Sequence, residues 1–226
     1  MFFIKIADLV VKINNKYEYV TELCKDYLIE EAVPDIVVDI TDDDVLKEQT
    51  GKFPLGYLES LAVYRKIAES MPNYGGVLMH AAVIETEDTG IAFLAKSGTG
   101  KTTHISLWHK YLKDKVRVVN GDKPIIRIID DTVYAYGTPW AGKERLQTNS
   151  RTELKNICFV ERAESNSCVK ITPDEGFNRI VSAVYLDKCF GAMDIINKLL
   201  HKCDFYIVNC NMDISAAQVA YEGMNL

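Results

Sequence analysis

The stretch Gly90-Ile91-Ala92-Phe93-Leu94-Ala95-Lys96-Ser97-Gly98-Thr99-Gly100-Lys101-Thr102-Thr103 decides how this chain is read. Its first five residues form an apolar run of strand length. Thr103 to Tyr111 continues with Ile105, Leu107, Trp108 and Tyr111 at helix-compatible spacing. A strand, a glycine-bearing turn and a helix in that order set successive backbone N–H groups around an anion at a helix N-terminus. Ser97, Gly98, Thr99, Gly100, Lys101, Thr102 and Thr103 are therefore the expected phosphate-binding loop, with Lys101 reaching the β/γ-phosphates of a nucleotide and the Thr102 hydroxyl sitting on Mg²⁺. The pattern ordinarily opens on glycine. Here Ala95 stands in that place, and alanine permits a tight turn but not a left-handed backbone without strain.

Working outward, Val77 to Ile84 reads as one buried strand that carries His80, and Glu85 to Gly90 turns it back as a hairpin into the strand before the loop. A lone histidine among apolar residues is most often a satisfied core residue. His104 and His109 are expected on a helix surface and His201 on a polar helix face. Downstream, Val118-Val119-Asn120-Gly121-Asp122 ends an apolar strand on a carboxylate twenty-one residues after Lys101, where a second metal ligand is expected. The competing reading is a turn residue, since Asn-Gly is itself a hairpin signal. Gly137-Thr138-Pro139-Trp140-Ala141-Gly142-Lys143-Glu144-Arg145 is an unusual loop. Either Lys143 and Arg145 neutralise transferring phosphate while Glu144 takes a proton or holds metal, or the loop is solvated and Trp140 packs on the core.

The first fifty residues mix short apolar runs with acid. Phe2–Ile6, Tyr17–Val20 and Ile36–Ile40 read as strands from their β-branched and aromatic content. Asp42-Asp43-Asp44 suggests a metal cluster, but Thr41 and these aspartates fit better as the N-terminus of a helix. A long helix is expected over 54–71, opened by Pro54 and closed before Pro72. Later strands are expected at 116–119, 125–128, 132–136, 156–160 and 205–208. Helical faces are expected around Phe177–Val184, at Ala192–Leu200 and over 213–222. The division expected is an N-terminal α+β extension over 1–75 and a nucleotide-binding domain over 76–226.

The chain has 226 residues, 48% of them hydrophobic, and a formal net charge of −6, with no lysine-rich block. That balance argues against nucleic acid as a partner, because phosphate neutralisation needs clustered Lys and Arg. The N-terminus lacks a basic lead and a long uncharged run, and no stretch of about 18 uncharged apolar residues occurs, so neither a signal peptide nor a membrane partner is expected. The six widely spaced cysteines form no C-x-x-C pair and read as small buried residues, reduced in a cytoplasmic protein. The sequence carries no signal for oligomeric state.

Ser97-Gly98-Thr99-Gly100-Lys101-Thr102-Thr103 resembles the kinase loop of ATP-dependent phosphoenolpyruvate carboxykinase, and the larger frame over residues 76 to 210 resembles the HPr serine kinase/phosphorylase superfamily. In that superfamily a histidine stands on the hairpin strand leading into the loop, and His80, fifteen residues before Ala95, has the matching spacing. The family also places a pair of aspartates after an apolar strand. Gly121-Asp122 matches it with the second, metal-binding aspartate alone. The segment Gly137–Glu144 resembles small kinase-like relatives found in bacteria, often beside peptide-modification genes. The resemblance implies an α/β fold with a mixed sheet and a carboxykinase-type core. It implies ATP and Mg²⁺ as cofactors and transfer of the γ-phosphoryl group to a hydroxyl on a small protein or peptide. His80, Lys101, Asp122, Glu144 and Arg145 are the implied catalytic set, and Thr102 and Asp122 the implied metal ligands. His80, Glu144 and Asp122 are the candidates for the base. Two alternatives stand beside this reading: a nucleotide-binding regulatory or peptide-recognition module that no longer catalyses, and a kinase for a free metabolite such as serine.

Overall fold

The computed structural model describes residues 1–96, 98 and 100–226. The N-terminal part opens with β1 (Phe2–Ile6) and β2 (Leu9–Asn14), a hairpin turned by Ala7 and Asp8, both at positive φ. Leu9, Val11 and Ile13 point inward and alternate with half-buried residues, the period-2 pattern that makes a strand. α1 (Glu18–Leu23), β3 (Leu28–Ile29), β4 (Ile36–Asp39), α2 (Asp42–Lys47) and α3 (Leu55–Ser70) follow. The four strands form one sheet in the order β3-β1-β2-β4.

The N-terminal part departs from the sequence expectations. β2 had not been expected at all. Tyr17–Val20, expected as a strand, enters helix α1, because the buried Glu59 carboxylate accepts the Lys16 and Tyr17 backbone N–H groups and turns the chain there. The aspartate run behaves as a helix start: Thr41 and Asp44 form a reciprocal capping box, and Asp44 is also paired with Lys66 and Arg65.

The second sheet is built by β5 (Gly76–Leu78), β6 (Ala82–Thr86), β7 (Thr89–Leu94), α4 (Lys101–Leu112), β8 (Val116–Asn120), β9 (Ile125–Ile129), β10 (Thr132–Tyr136), β11 (Arg151–Arg162), β12 (Ser167–Ile171), α5 (Pro173–Ala183), α6 (Ala192–Lys202), β13 (Asp204–Cys210) and α7 (Ser215–Gly223). Its strand order is β5-β9-β10-β11-β7-β6-β8, with β13 joined to β11 and β12 to β13. The long β11 pairs antiparallel with β10 over its first residues, then parallel with β13. One edge of β11 thus serves two partners in succession, and the mixed sheet curls there. β12 also escaped the sequence reading. It is an edge strand whose five residues are exposed or half-buried, so it lacks an apolar signature.

Both faces of this sheet are covered. On β7, Ala92 and Leu94 join the core under α5 and α6, while Ile91 and Phe93 join the core under α4 and α7. A strand buried on both faces has no polar side, which is why this segment reads as a continuous apolar run. A third core gathers α3 and the four-stranded sheet with Leu78, Ile125, Tyr136 and Trp140, so the N-terminal part and the larger sheet pack through shared apolar residues. Polar ties reinforce the contact: the Trp140 indole N–H donates to Ser60 O at 3.0 Å and the Tyr136 hydroxyl to Asp8 at 2.6 Å. The result is a mixed α/β protein.

No helix among the described residues is long and apolar enough to cross a membrane. All six cysteines are free, and five are buried.

Candidate functional site

Strand directions gather the site. β7 and β11 run parallel, and β6 runs antiparallel to both β7 and β8. The C-terminal ends of β7, β8 and β11 and the start of β6 therefore emerge at one end of the sheet. Ligands of α/β sheets bind beyond the carboxyl ends of parallel strands.

The loop between β7 and α4 leaves its strand at this end. Gly98 and Gly100 take positive φ values of 77° and 119°, a region glycine enters without steric cost. Ala95 is not among the residues at positive φ, so alanine in the place of the customary first glycine meets no strain. Ser97 and Thr99 lie outside the described residues. α4 begins at Lys101 with Gly100 as its left-handed N-cap, and Thr102 and Thr103 occupy its first turn. Arg162, at the end of β11, donates to the Gly98 carbonyl at 2.6 Å and pins the loop.

His80 does not sit within a strand. The expected single strand over 77–84 is broken at Met79–Ala81, where Met79 N–H bonds Pro124 O, His80 N–H bonds Ala183 O and Ala81 N–H bonds Asp122 O. The break is clamped between the 122–124 turn and the end of α5, and it holds the imidazole at the sheet end. His80 Nε2 lies 3.0 Å from Asp122 Oδ1 and 3.0 Å from Lys101 Nζ. Three residues implicated from separate stretches of sequence thus meet at one nitrogen. Burial lowers the pKa of the Lys101 ammonium; Asp122 opposes the shift and Lys123 adds to it. Burial pushes the Asp122 carboxyl up, but its hydrogen bond with His80 and the charges of Lys123, His80 and Lys101 outweigh this and leave it below the usual value. Asp122 is therefore a carboxylate at neutral pH.

Asn120 sets the position of Asp122. It is fully buried, and its Oδ1 accepts the Asp122 and Lys123 backbone N–H groups at 2.9 and 2.7 Å, an Asx turn. Its Nδ2 donates to Thr138 O and Oγ1, and the Thr138 hydroxyl donates to Lys123 O. The Gly137–Trp140 segment is thus the brace under the Asp122 turn, with Trp140 buried against Tyr64. Gly142 passes close to the Asp122 side chain, while Lys143, Glu144 and Arg145 are exposed. Sequence reasoning missed Asn120, Lys123 and Arg162 as parts of this site. Asn-Gly-Asp is an Asx-turn signature and carried the first; only the three-dimensional contacts reveal the other two.

Two depressions flank the loop. A cleft of about 870 Å³ is lined by His80, Leu94, Ala95, Lys96 and Gly98 on one side and by Phe159, Arg162, Arg179 and Ser182 on the other. A groove of about 410 Å³ lies across the first turns of α4. His104, expected on the helix surface, is instead buried beside Phe93 and Trp108, and burial pushes its pKa down to about 4. His109 and His201 are exposed, as expected.

No protein-family profile matches the chain, and no curated protein sequence matches it. Among solved structures it is similar to the Hpr(Ser) kinase/phosphatase from Coxiella burnetii, with a TM-score of 0.41 and 7% identity over 66% of this chain and 88% of that one.

Proposed function

We propose that this protein binds ATP through the loop at residues 95–103 and transfers its γ-phosphoryl group to a hydroxyl acceptor. The observation that carries the reading is the convergence of His80, Lys101 and Asp122 at the sheet end from which the glycine-bearing turn enters α4. On this reading the core is of the carboxykinase and HPr kinase type over residues 76–226, with residues 1–75 as its extension. The 870 Å³ cleft, open beside His80, receives the acceptor, a Ser or Thr of a small protein or peptide.

Phosphoryl transfer asks a protein chiefly for positioning and charge. Lys101, desolvated and next to the loop, neutralises phosphate oxygens. With Lys101 drawn to phosphate, His80 Nε2 is left to Asp122, and an imidazole so oriented can take the acceptor hydroxyl proton. The donor set fits Mg²⁺: Asp122 is ionised and Thr102 supplies a hydroxyl at the start of α4. Among the described residues no group of three or more His, Cys, Asp or Glu forms an all-protein cage. Magnesium is commonly held by one or two carboxylates, with waters and phosphate completing its shell. When bound it would supply charge neutralisation on the β- and γ-oxygens.

The position before Asp122 supports the non-catalytic alternative. A Cβ at Gly121 would stand 2.9 Å from Ala141 O, so the backbone leaves no room for a second acid there. One experiment separates the readings. Lys101→Ala should weaken ATP binding in calorimetry while the fold, followed by circular dichroism, is kept. Wild-type protein given γ-labelled ATP should label a serine-bearing peptide or free serine. Unchanged ATP affinity in the variant overturns nucleotide binding through this loop, and binding without any labelled product leaves the regulatory module.

A further inference from the structure

We propose that the groove across α4 holds the base of the bound nucleotide, with the His104 Nδ1–H donating to an acceptor atom of its ring. This rests on the phosphate-loop reading given above.

Gly100, Thr103, His104 and Leu107 share one face of α4 and form one wall of the groove. Arg162, Ala163, Cys210, Asn211 and Met212, from the ends of β11 and β13, form the other. Gly100 and Thr103 belong to the loop and first helical turn as well, so the groove is continuous with the phosphate site. Lys101 turns away from it, toward His80 and Asp122. The lysine of such a loop reaches the β/γ end of the phosphate chain. The nucleoside end then leaves on the other side, where this groove lies. Its size falls within the range of small-molecule pockets, and Leu107, Ala163 and Met212 give it the apolar lining a flat heterocycle requires.

His104 supplies the polar contact. The Trp108 indole N–H is a donor only and lies 3.0 Å from His104 Nε2, so Nε2 carries the lone pair and Nδ1 the proton. That Nδ1–H is buried and has no hydrogen-bond partner among the described residues. A buried donor left unmade is costly, and a ring nitrogen or carbonyl of a base lying in the groove satisfies it. Asn211, a polar side chain on the opposite wall, is already committed. Its Oδ1 accepts from Asp213 N–H and its Nδ2 donates to Glu164 O.

The test compares ATP with inorganic tripolyphosphate, which has the phosphates and no base. His104→Met keeps a weak acceptor for Trp108, the thioether sulfur, but carries no donor; Ala163→Leu fills the groove from the opposite wall and leaves His104 untouched. By calorimetry each variant should bind ATP about tenfold more weakly and tripolyphosphate as the wild type does. Lys101→Ala should weaken both ligands together. Any other pattern for the first two variants, or equal wild-type affinity for the two ligands, overturns the base site. If Lys101→Ala changes neither ligand, the phosphate-loop reading itself fails.

Discussion

His80 Nε2 stands 3.0 Å from Asp122 Oδ1, although the two residues come from different strand ends and are joined by no shared element. The contact is made because Ala81 N–H bonds Asp122 O, so the backbone break that carries the imidazole is stitched to the turn that carries the carboxylate. The same nitrogen faces Lys101 Nζ, and a single nitrogen holds either a proton for Asp122 or a lone pair for Lys101. On the proposed reading, phosphate bound at the loop would draw Lys101 away and resolve that competition.

His80→Ala should lower turnover by about 10²–10⁴-fold, the range for loss of a base. Glu144→Gln should leave the rate unchanged, because Glu144 is exposed on the turn beyond Gly142. Steady-state rates with γ-labelled ATP check both, and a larger effect at Glu144 would reverse the assignment.

Asp122→Asn removes the ionised oxygen expected to meet the metal. It should abolish the Mg²⁺-dependent part of ATP affinity and leave affinity in chelator nearly as it was. Calorimetry with and without Mg²⁺ reads this directly. Identical Mg²⁺ dependence in variant and wild type would reduce Asp122 to a turn residue.

Gly137→Ala tests the brace under the Asp122 turn. A Cβ at 137 would run into the Thr148 carbonyl and lie 2.6 Å from Val119 O, both backbone atoms with little freedom to yield. The substitution should cost about 3 kcal/mol, the upper end for overpacking, as measured by urea unfolding. A loss near zero would mean that the 137–148 loop moves freely over β8.

Asp44→Asn should destabilise the protein by about 1–3 kcal/mol at pH 7, because the carboxylate caps α2 and pairs with Lys66 and Arg65. Burial opposes ionisation of Asp44, but bonds from Lys66 and Thr41 hold its folded pKa well below the usual value. Its contribution is thus fully present above the unfolded value of about 3.9 and lost as pH falls through the folded one. The difference between wild type and variant should shrink from pH 7 to pH 3 in urea titrations. A constant difference would locate the effect in packing rather than charge.

The sequence by itself determined the elements whose signals are local. The strand at 90–94, the turn through Gly98 and Gly100, and α4 follow from apolar runs and glycine placement, which act over a few residues. The same holds for the capping box at Thr41–Asp44 and the amphipathic helix α6. Local signals also marked Lys101 and Asp122, whereas His80, which by itself read as a core histidine, was marked only by the family resemblance. Tertiary structure alone decided that they meet, because adjacency across strands depends on sheet order and direction, which no short stretch encodes. It likewise turned Tyr17–Val20 into a helix through the distant Glu59 carboxylate, and broke 77–84 at His80 by backbone bonds to Pro124 and Ala183. And it buried His104 against Trp108, whose indole N–H fixes which ring nitrogen carries the proton.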